Sequence, residues 1–367
     1  MRLLLVLFLV LLPAAAQTFT ADRIVVVGDV HGDYEQFVTL LRAAKMIDGK
    51  NRWTGGKTHL VQTGDIPDRG PGTRKAMDLL MDLEKEAKKA GGAVHALIGN
   101  HEAMNMYGDL RYTTPAEFEA FKTRDSKDVR DRYYKLELEQ NPQAAAAETA
   151  DPQGYRKKWE TEHPLGYWEH RVAFSPQGDY GKWIAGHNAV IKVNDTLFLH
   201  GGIGPKYLQS STTEINSKIK LELTGASPVQ NGVAMDPEGP LWYRGLADEK
   251  EGQATSHVEA VLKAYGVNRI VIGHTVTEGT VMPRFGGRVL MIDAGMSAVY
   301  GSRQAAVILE GGKAYALHRG ARLEIPTGGG AELLKYLKQA AALDPPPSPL
   351  LKVISGLEAG LAVPSGR

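Results

Sequence analysis

Short apolar runs of four to six residues, rich in β-branched side chains, alternate along the chain with longer stretches whose apolar positions fall three and four apart. That alternation of a strand period with a helix period predicts repeated strand–helix units. Arg23 to Val27, Thr58 to Gln62 and Ala93 to Ile98 read as strands. Between them, Tyr34 to Ala44 puts Phe37, Leu40, Leu41 and Ala44 on one helical face, and Thr73 to Ala90 does the same with Ala76, Leu79, Leu80 and Leu83. From about Leu110 to Tyr180 the period weakens, charges and aromatics crowd together, and Ala144 to Ala147 interrupts the pattern. A helical insertion lying over or beside the crevice at the strand ends is expected there. Strand patterns resume at Ala189 to Val193 and Thr196 to Leu199, joined by the turn pair Asn194-Asp195. Val258 to Ala264 reads as a helix, Arg269 to Ile272 as a buried strand, and Arg288 to Ile292, Ala305 to Leu309 and Lys313 to His318 as a closing set of strands. The expected fold is α/β, two packed sheets with helices outside, in one domain over residues 17–325 with its insertion at about 110–180. Residues 326–367 read as a tail: a Gly328–Gly330 run, one amphipathic stretch from Ala331 to Leu343, a Pro345–Pro347 break and a short apolar end.

Residues 1–16 form an apolar run from Leu3 to Leu12 behind Arg2, ending in Pro13-Ala14-Ala15-Ala16. The small residues suit a cleavage site, so a signal peptide and export to a periplasmic or extracellular space are expected. Ten apolar residues fall short of the roughly 20 that span a bilayer, and no stable membrane insertion is expected after cleavage. Losing Arg2 leaves 42 basic against 42 acidic side chains. A neutral chain has no global field to draw it to nucleic acid. Cysteine is absent, which excludes disulfides, thiolate nucleophiles and thiolate metal sites, so any metal must be held by oxygen and imidazole.

The chemistry-bearing residues sit where the strands end. Gly28-Asp29-Val30-His31-Gly32, Gly64-Asp65-Ile66-Pro67-Asp68-Arg69-Gly70 and Gly99-Asn100-His101-Glu102 recur about every 35 residues, each after a strand. In parallel sheets the carboxyl ends of neighbouring strands open on one crevice. Asp29 and His31 can face one cation from a tight glycine-flanked loop, although an Asp-x-His pair also serves as a helix cap. Asp65 offers a carboxylate able to bridge two ions and Asn100 an amide oxygen, while His200 and His274 follow later strands in glycine-flanked loops. A lone histidine there would ordinarily be a hydrogen-bonded core residue. Six ligands of this mixture suit a pair of divalent cations such as Mn, Fe or Zn better than Ca or Mg. Two such ions lower the pKa of a shared water to near 7. Asp68 and His101 are not needed as ligands, and a carboxylate-held imidazole can deliver a proton to a leaving oxygen. Arg69 and Arg244 can grip phosphoryl oxygens through their planar forks; Arg69 can instead serve as a structural ion pair, and for Arg244 spacing alone proves nothing.

Taken together, Asp29-x-His31, Gly64-Asp65-x-x-Asp68-Arg69-Gly70, Gly99-Asn100-His101-Glu102, His200-Gly201-Gly202 and Gly273-His274 resemble the phosphoprotein phosphatase branch of the calcineurin-like metallophosphoesterases. Pro67 and Pro71 in the second string, Leu241-Trp242-Tyr243-Arg244, and Ile292-Asp293-Ala294-Gly295-Met296-Ser297 are most similar to the bacterial Shewanella-like protein phosphatases. The likeness spans about Arg23 to Tyr300. It implies an αββα sandwich, one metal on Asp29, His31 and Asp65, and a second on Asp65, Asn100, His200 and His274. It also implies His101 with Asp68 as proton donor, and Arg69 and Arg244, with Asn100, on the phosphate. Eukaryotic members place a tyrosine after the last ligand, in a Ser-Ala-Pro-Asn-Tyr string, where this chain has Ile292 to Met296. His187 is left to packing or to a supporting role. The function expected is hydrolysis of phosphomonoesters, on phosphorylated protein serine, threonine or tyrosine or on small phosphate esters, by direct attack of metal-bridging hydroxide. A dinucleoside-polyphosphate hydrolase using the same site is the alternative, and a non-catalytic phosphate- or metal-binding protein a further one.

Overall fold

The computed structural model describes residues 18–362; the leader expected over residues 1–16 lies outside them. Two six-stranded mixed sheets lie face to face. One takes the order β12-β11-β10-β2-β3-β4, from β2 (Arg23–Val27), β3 (His59–Gln62), β4 (Ala93–Ala96), β10 (Ala305–Glu310), β11 (Lys313–His318) and β12 (Ala321–Glu324). The other runs β1-β5-β6-β7-β9-β8, from β1 (Thr18–Phe19), β5 (Val190–Val193), β6 (Thr196–Leu199), β7 (Arg269–Ile272), β8 (Met282–Arg284) and β9 (Val289–Met291). Strand alternation sorts the side chains into layers. Ile24, Val26, Phe198 and Val271 point into the core between the sheets, whereas Val25, Val27, Leu197, Leu199, Ile270 and Ile272 meet the outer helices. Phe198 is fully buried between the sheets, and truncating it to alanine would cost about 3–5 kcal/mol.

β2, β3 and β4 are parallel and joined through α1 (Tyr34–Ala43) and α2 (Thr73–Lys89). α3 (Asn100–Tyr107) follows β4 and opens the insertion: α4 (Pro115–Phe121), α5 (Ser126–Gln140), α6 (Pro142–Ala150), α7 (Pro152–Glu162), α8 (Tyr167–Phe174) and α9 (Asp179–Ala185). Most of the insertion's aromatics do not roof the crevice. Tyr133 stacks on Trp168 at 3.7 Å, Tyr134 meets Trp159 edge-on, and Phe118, Phe121 and Phe174 surround His170. The insertion packs beside the body through α2 and α3, and Phe121, Phe174 and Tyr180 continue the body's hydrophobic core.

α10 (Thr212–Leu223), α11 (Gly245–Asp248) and α12 (Glu251–Tyr265) cross from β6 to β7, a parallel pair. α12 begins well before the Val258 expected from apolar spacing, because Glu251 to His257 form a regular first half that is mostly polar and buries only Ala254. After β12 come α13 (Gly330–Ala341) and α14 (Leu351–Ala362), so the apolar end is a second helix. Tyr336, Leu337, Ala340, Leu350 and Ile354 join the core between the sheets. Buried Asp344 ties this segment to the sheet, accepting from His318 Nε2 at 3.0 Å, Arg319 Nε at 2.7 Å and Ser348 Oγ at 2.7 Å. No helix among the described residues is long and apolar enough to cross a membrane.

Candidate metal centre

The carboxyl ends of β2, β3, β4, β6 and β7 meet at one place, and the loops leaving them bring Asp29, His31, Asp65, Asn100, His101, His200 and His274 together, all buried. Five non-glycine residues of these loops have left-handed backbone: His31 (φ 46°), Asp65 (60°), Asp68 (72°), Arg69 (66°) and His274 (65°). Each costs about 1 kcal/mol or more. Such strain persists only where surrounding bonds over-determine it, and here they do. Asp65 O accepts from the backbone N–H groups of Val30 and His31 at 2.9 and 3.0 Å, and Asp65 Oδ1 accepts the His101 N–H at 2.9 Å. Glycines leave room for the ligands: a Cβ on Gly99 would lie 2.3 Å from Asp65 Oδ1, and one on Gly273 2.4 Å from Asp29 Oδ1.

Hydrogen bonds at the back of each imidazole fix which nitrogen faces the crevice. His200 Nδ1 donates to Thr63 O at 2.9 Å, so Nε2 presents a lone pair. That nitrogen lies 2.9 Å from Asn100 Oδ1, 3.0 Å from His274 Nδ1 and 3.2 Å from Asp65 Oδ2. His31 Nδ1 is likewise engaged by Pro67 O at 3.2 Å, which turns Nε2 toward Asp65 Oδ2 at 3.7 Å and Asp29 Oδ2 at 3.9 Å. With the rings neutral, lone pairs converge on lone pairs, an arrangement that a bound cation satisfies. Two trios have donor atoms all within 4.8 Å, namely Asp65, His200 and His274, and His31, Asp65 and His101. Asp65 belongs to both.

Charge points the same way. Burial, and then the neighbouring Asp293 and Asp65 carboxylates, push the Asp29 carboxyl well above its usual range. Burial lowers His31 to about 4 and His274 to about 2. Imidazoles kept neutral beside crowded carboxylates are ligands in their binding form. The residues fit a pair of divalent cations.

His101 differs from the other histidines. Its Nδ1 lies 2.6 Å from Asp68 Oδ2. Burial pulls its pKa down, but Asp65 and the bond to Asp68 outweigh that and raise it. A protonated imidazole cannot ligate, so His101 is the better proton donor and Asp29 the better partner of His31 and Asp65, although Asp29 lies outside the tighter trio. Arg69 stands at the rim with its guanidinium 4.5 Å from the centre of the Tyr112 ring and 5.3 Å from that of Tyr300. Arg244 is anchored from the other side, Nη1 donating to His274 O and Thr275 Oγ1 at 2.9 Å each. His187 takes no part: its Nε2 pairs with Glu84 Oε1 at 2.8 Å.

Several supporting residues escape sequence reasoning. Glu102 accepts the N–H groups of Asp65 (2.8 Å), Ile66 (2.7 Å) and Gly99 (2.7 Å), clamping two ligand loops together. Its place at the third position of α3 is a capping signal; its reach to Asp65 is not visible in the chain. Asp293 is buried beside Asp29. Tyr300 brings to this wall an aromatic ring that Ile292 to Met296 lack, 5.8 Å from His31.

The calcineurin-like phosphoesterase family matches residues 22–278. An uncharacterised protein of Schizosaccharomyces pombe is 31% identical over 76% of this chain and 74% of its own length. Shewanella-like protein phosphatase 2 of Arabidopsis thaliana is 29% identical over 75% of this chain and 72% of its own. Among solved structures, the cold-active protein-tyrosine phosphatase of a psychrophilic Shewanella superposes with a TM-score of 0.62 at 26% identity, covering 84% of this chain and 81% of that one.

Proposed function

The chain belongs to the calcineurin-like phosphoesterase family and is a metal-dependent phosphoester hydrolase, and from that premise we propose that it dephosphorylates proteins, with phosphotyrosine as the favoured residue. The observation that carries the reading is the convergence of His31, His200 and His274 on the shared Asp65 carboxylate, beside His101, held separately by Asp68, and two arginines. One cation would be held by Asp29, His31 and Asp65, the other by Asp65, Asn100, His200 and His274. When bound, the pair supplies Lewis-acid stabilisation of phosphoryl oxygens and a water ionised at neutral pH.

The side chains do the rest. Arg69, flanked by Tyr112 and Tyr300, and Arg244, anchored on the His274 carbonyl, present guanidinium forks to the non-bridging phosphoryl oxygens. Asn100 orients the same group through its amide. His101, held through Nδ1 by Asp68, carries a proton on Nε2 for the departing oxygen. The tyrosine preference is supported by the likeness to the Shewanella protein-tyrosine phosphatase and by the two tyrosine rings at the rim.

We propose manganese as the working metal, with iron or zinc able to replace it, and export guided by residues 1–16 to the periplasm or beyond. Rates of manganese-loaded protein on phosphotyrosyl and phosphoseryl peptides and on a dinucleoside tetraphosphate test the assignment. Faster turnover of the phosphotyrosyl peptide supports it, and faster turnover of the dinucleotide overturns it.

A further inference from the structure

Asp68 and Arg69 are the strained pair of the site, consecutive non-glycine residues in the left-handed region. What holds them is the start of the insertion. Tyr112 O accepts the Arg69 N–H at 3.1 Å, and Thr113 Oγ1 donates to Asp68 Oδ1 at 2.8 Å. Glu117, in α4, accepts the Asp68 N–H at 3.0 Å and the Thr73 hydroxyl at 2.5 Å, both on Oε1. Asp68 thus has its backbone and one carboxylate oxygen fixed from residues 113–117, leaving Oδ2 for His101 and for Asn105 Nδ2 at 3.1 Å.

Glu117 is fully buried, and its Oε2 has no hydrogen-bond partner among the described residues. Burial, and then the Asp68 charge, push its carboxyl up to about 8, so at neutral pH it is predominantly an uncharged acid. A carboxyl enclosed without a cation is a costly way to satisfy one N–H and one hydroxyl. Its position against Asp68 gives it a reason beyond packing.

We propose that Glu117, with Thr113, is a positioning residue for the reaction: it fixes Asp68 and, through Asp68, the imidazole of His101, which makes the first helix of the insertion part of the proton-delivery apparatus. The inference rests on the reading of His101 as the proton donor. A proton donor matters most when the leaving oxygen is basic, so displacing it slows an ester with a poor leaving group and spares one whose leaving group departs as an anion.

The test compares phenyl phosphate with dinitrophenyl phosphate for Glu117→Ala, Glu117→Gln and Thr113→Val, with His101→Asn as reference. For Glu117→Ala, kcat on phenyl phosphate should fall about tenfold or more, kcat on dinitrophenyl phosphate less than about threefold, and KM should hold within about twofold on both. Glu117→Gln, which mimics the uncharged acid, should recover most of the rate. Thr113→Val should show the same leaving-group pattern with a smaller loss. An equal fall on both esters, a change confined to KM, or a glutamine variant as slow as the alanine one overturns the inference. If Glu117→Ala does not fold, Thr113→Val, which removes one hydroxyl, decides by the same criteria. If His101→Asn itself falls equally on both esters, the proton-donor reading fails and this inference with it; if only His101→Asn discriminates, this inference alone is lost.

Discussion

Replacing His170 with phenylalanine should stabilise the protein in acid and by a growing margin as the pH falls. His170 is fully buried among Phe118, Phe121 and Phe174, and neither ring nitrogen has a hydrogen-bond partner among the described residues. Burial pushes its pKa down to about 3, against an ordinary 6.5, and outweighs the opposing Asp68 charge. The unfolded chain therefore binds a proton near pH 6.5 that the folded chain refuses until far lower pH. A depressed pKa of this kind contributes stability above the unfolded value and loses it as pH falls toward the folded one. At about pH 4.5 the histidine has cost the folded state roughly 3 kcal/mol relative to neutral pH. Phenylalanine has no such linkage and leaves no unpaired nitrogen behind, and the cost of fitting its larger ring is the same at every pH, so it does not enter the pH dependence. Thermal melts of wild type and His170→Phe, followed by circular dichroism from about pH 7 to about pH 4.5, should diverge by roughly 4 °C at the acid end. Glu102 and Asp293 also titrate anomalously, raised to about 7 and about 6 mainly by burial, but they are common to both proteins and cancel in the difference. Parallel melting curves at every pH would refute the assignment of His170 as a sealed neutral imidazole.

His101→Asn should lower kcat on phenyl phosphate by about 10² to 10⁴. The raised pKa of His101 also places a descending limb on the alkaline side of the pH–rate profile, since a proton donor fails as pH rises through its pKa; the variant should lack that limb, and its retention would count against the role. Arg69→Ala should raise KM for phosphopeptides by about tenfold to a hundredfold, the worth of a charge-assisted pair of bonds. Arg69→Lys should recover only part of this, because an ammonium neither forks nor lies flat between Tyr112 and Tyr300. Steady-state kinetics decide both, and a loss confined to kcat would move Arg69 out of phosphate binding.

The body of the fold was legible because buried strands write themselves as uninterrupted β-branched runs. β2, β6, β7 and β11 begin and end where the apolar pattern does. β1 is two residues long, and β8 is a three-residue edge strand containing Pro283, so neither carries a period to read. β12 alternates exposed with half-buried positions and gives no apolar contrast. α10 is not among the elements expected above, yet it carries its own signature: Ser211 and Glu214 form a capping box, and Ile215, Ile219 and Leu223 recur every four residues on its buried face. At the candidate centre, residues that follow strands could be placed together from chain order alone, since topology sends every such strand end to one crevice. Glu117, Thr113 and Tyr300 could not. Their roles come from the approach of segments remote in sequence from Asp68 and His31, set by insertion packing and by a 3₁₀ turn over Ala298–Tyr300.

Metal stoichiometry and position test the central claim most directly. Manganese-soaked crystals measured at the manganese absorption edge should give two anomalous peaks per chain, one against Asp29, His31 and Asp65 and one against Asp65, Asn100, His200 and His274. Asp65→Asn should lose both. A single peak, peaks away from these side chains, or two peaks that survive Asp65→Asn would contradict a bridged two-cation centre.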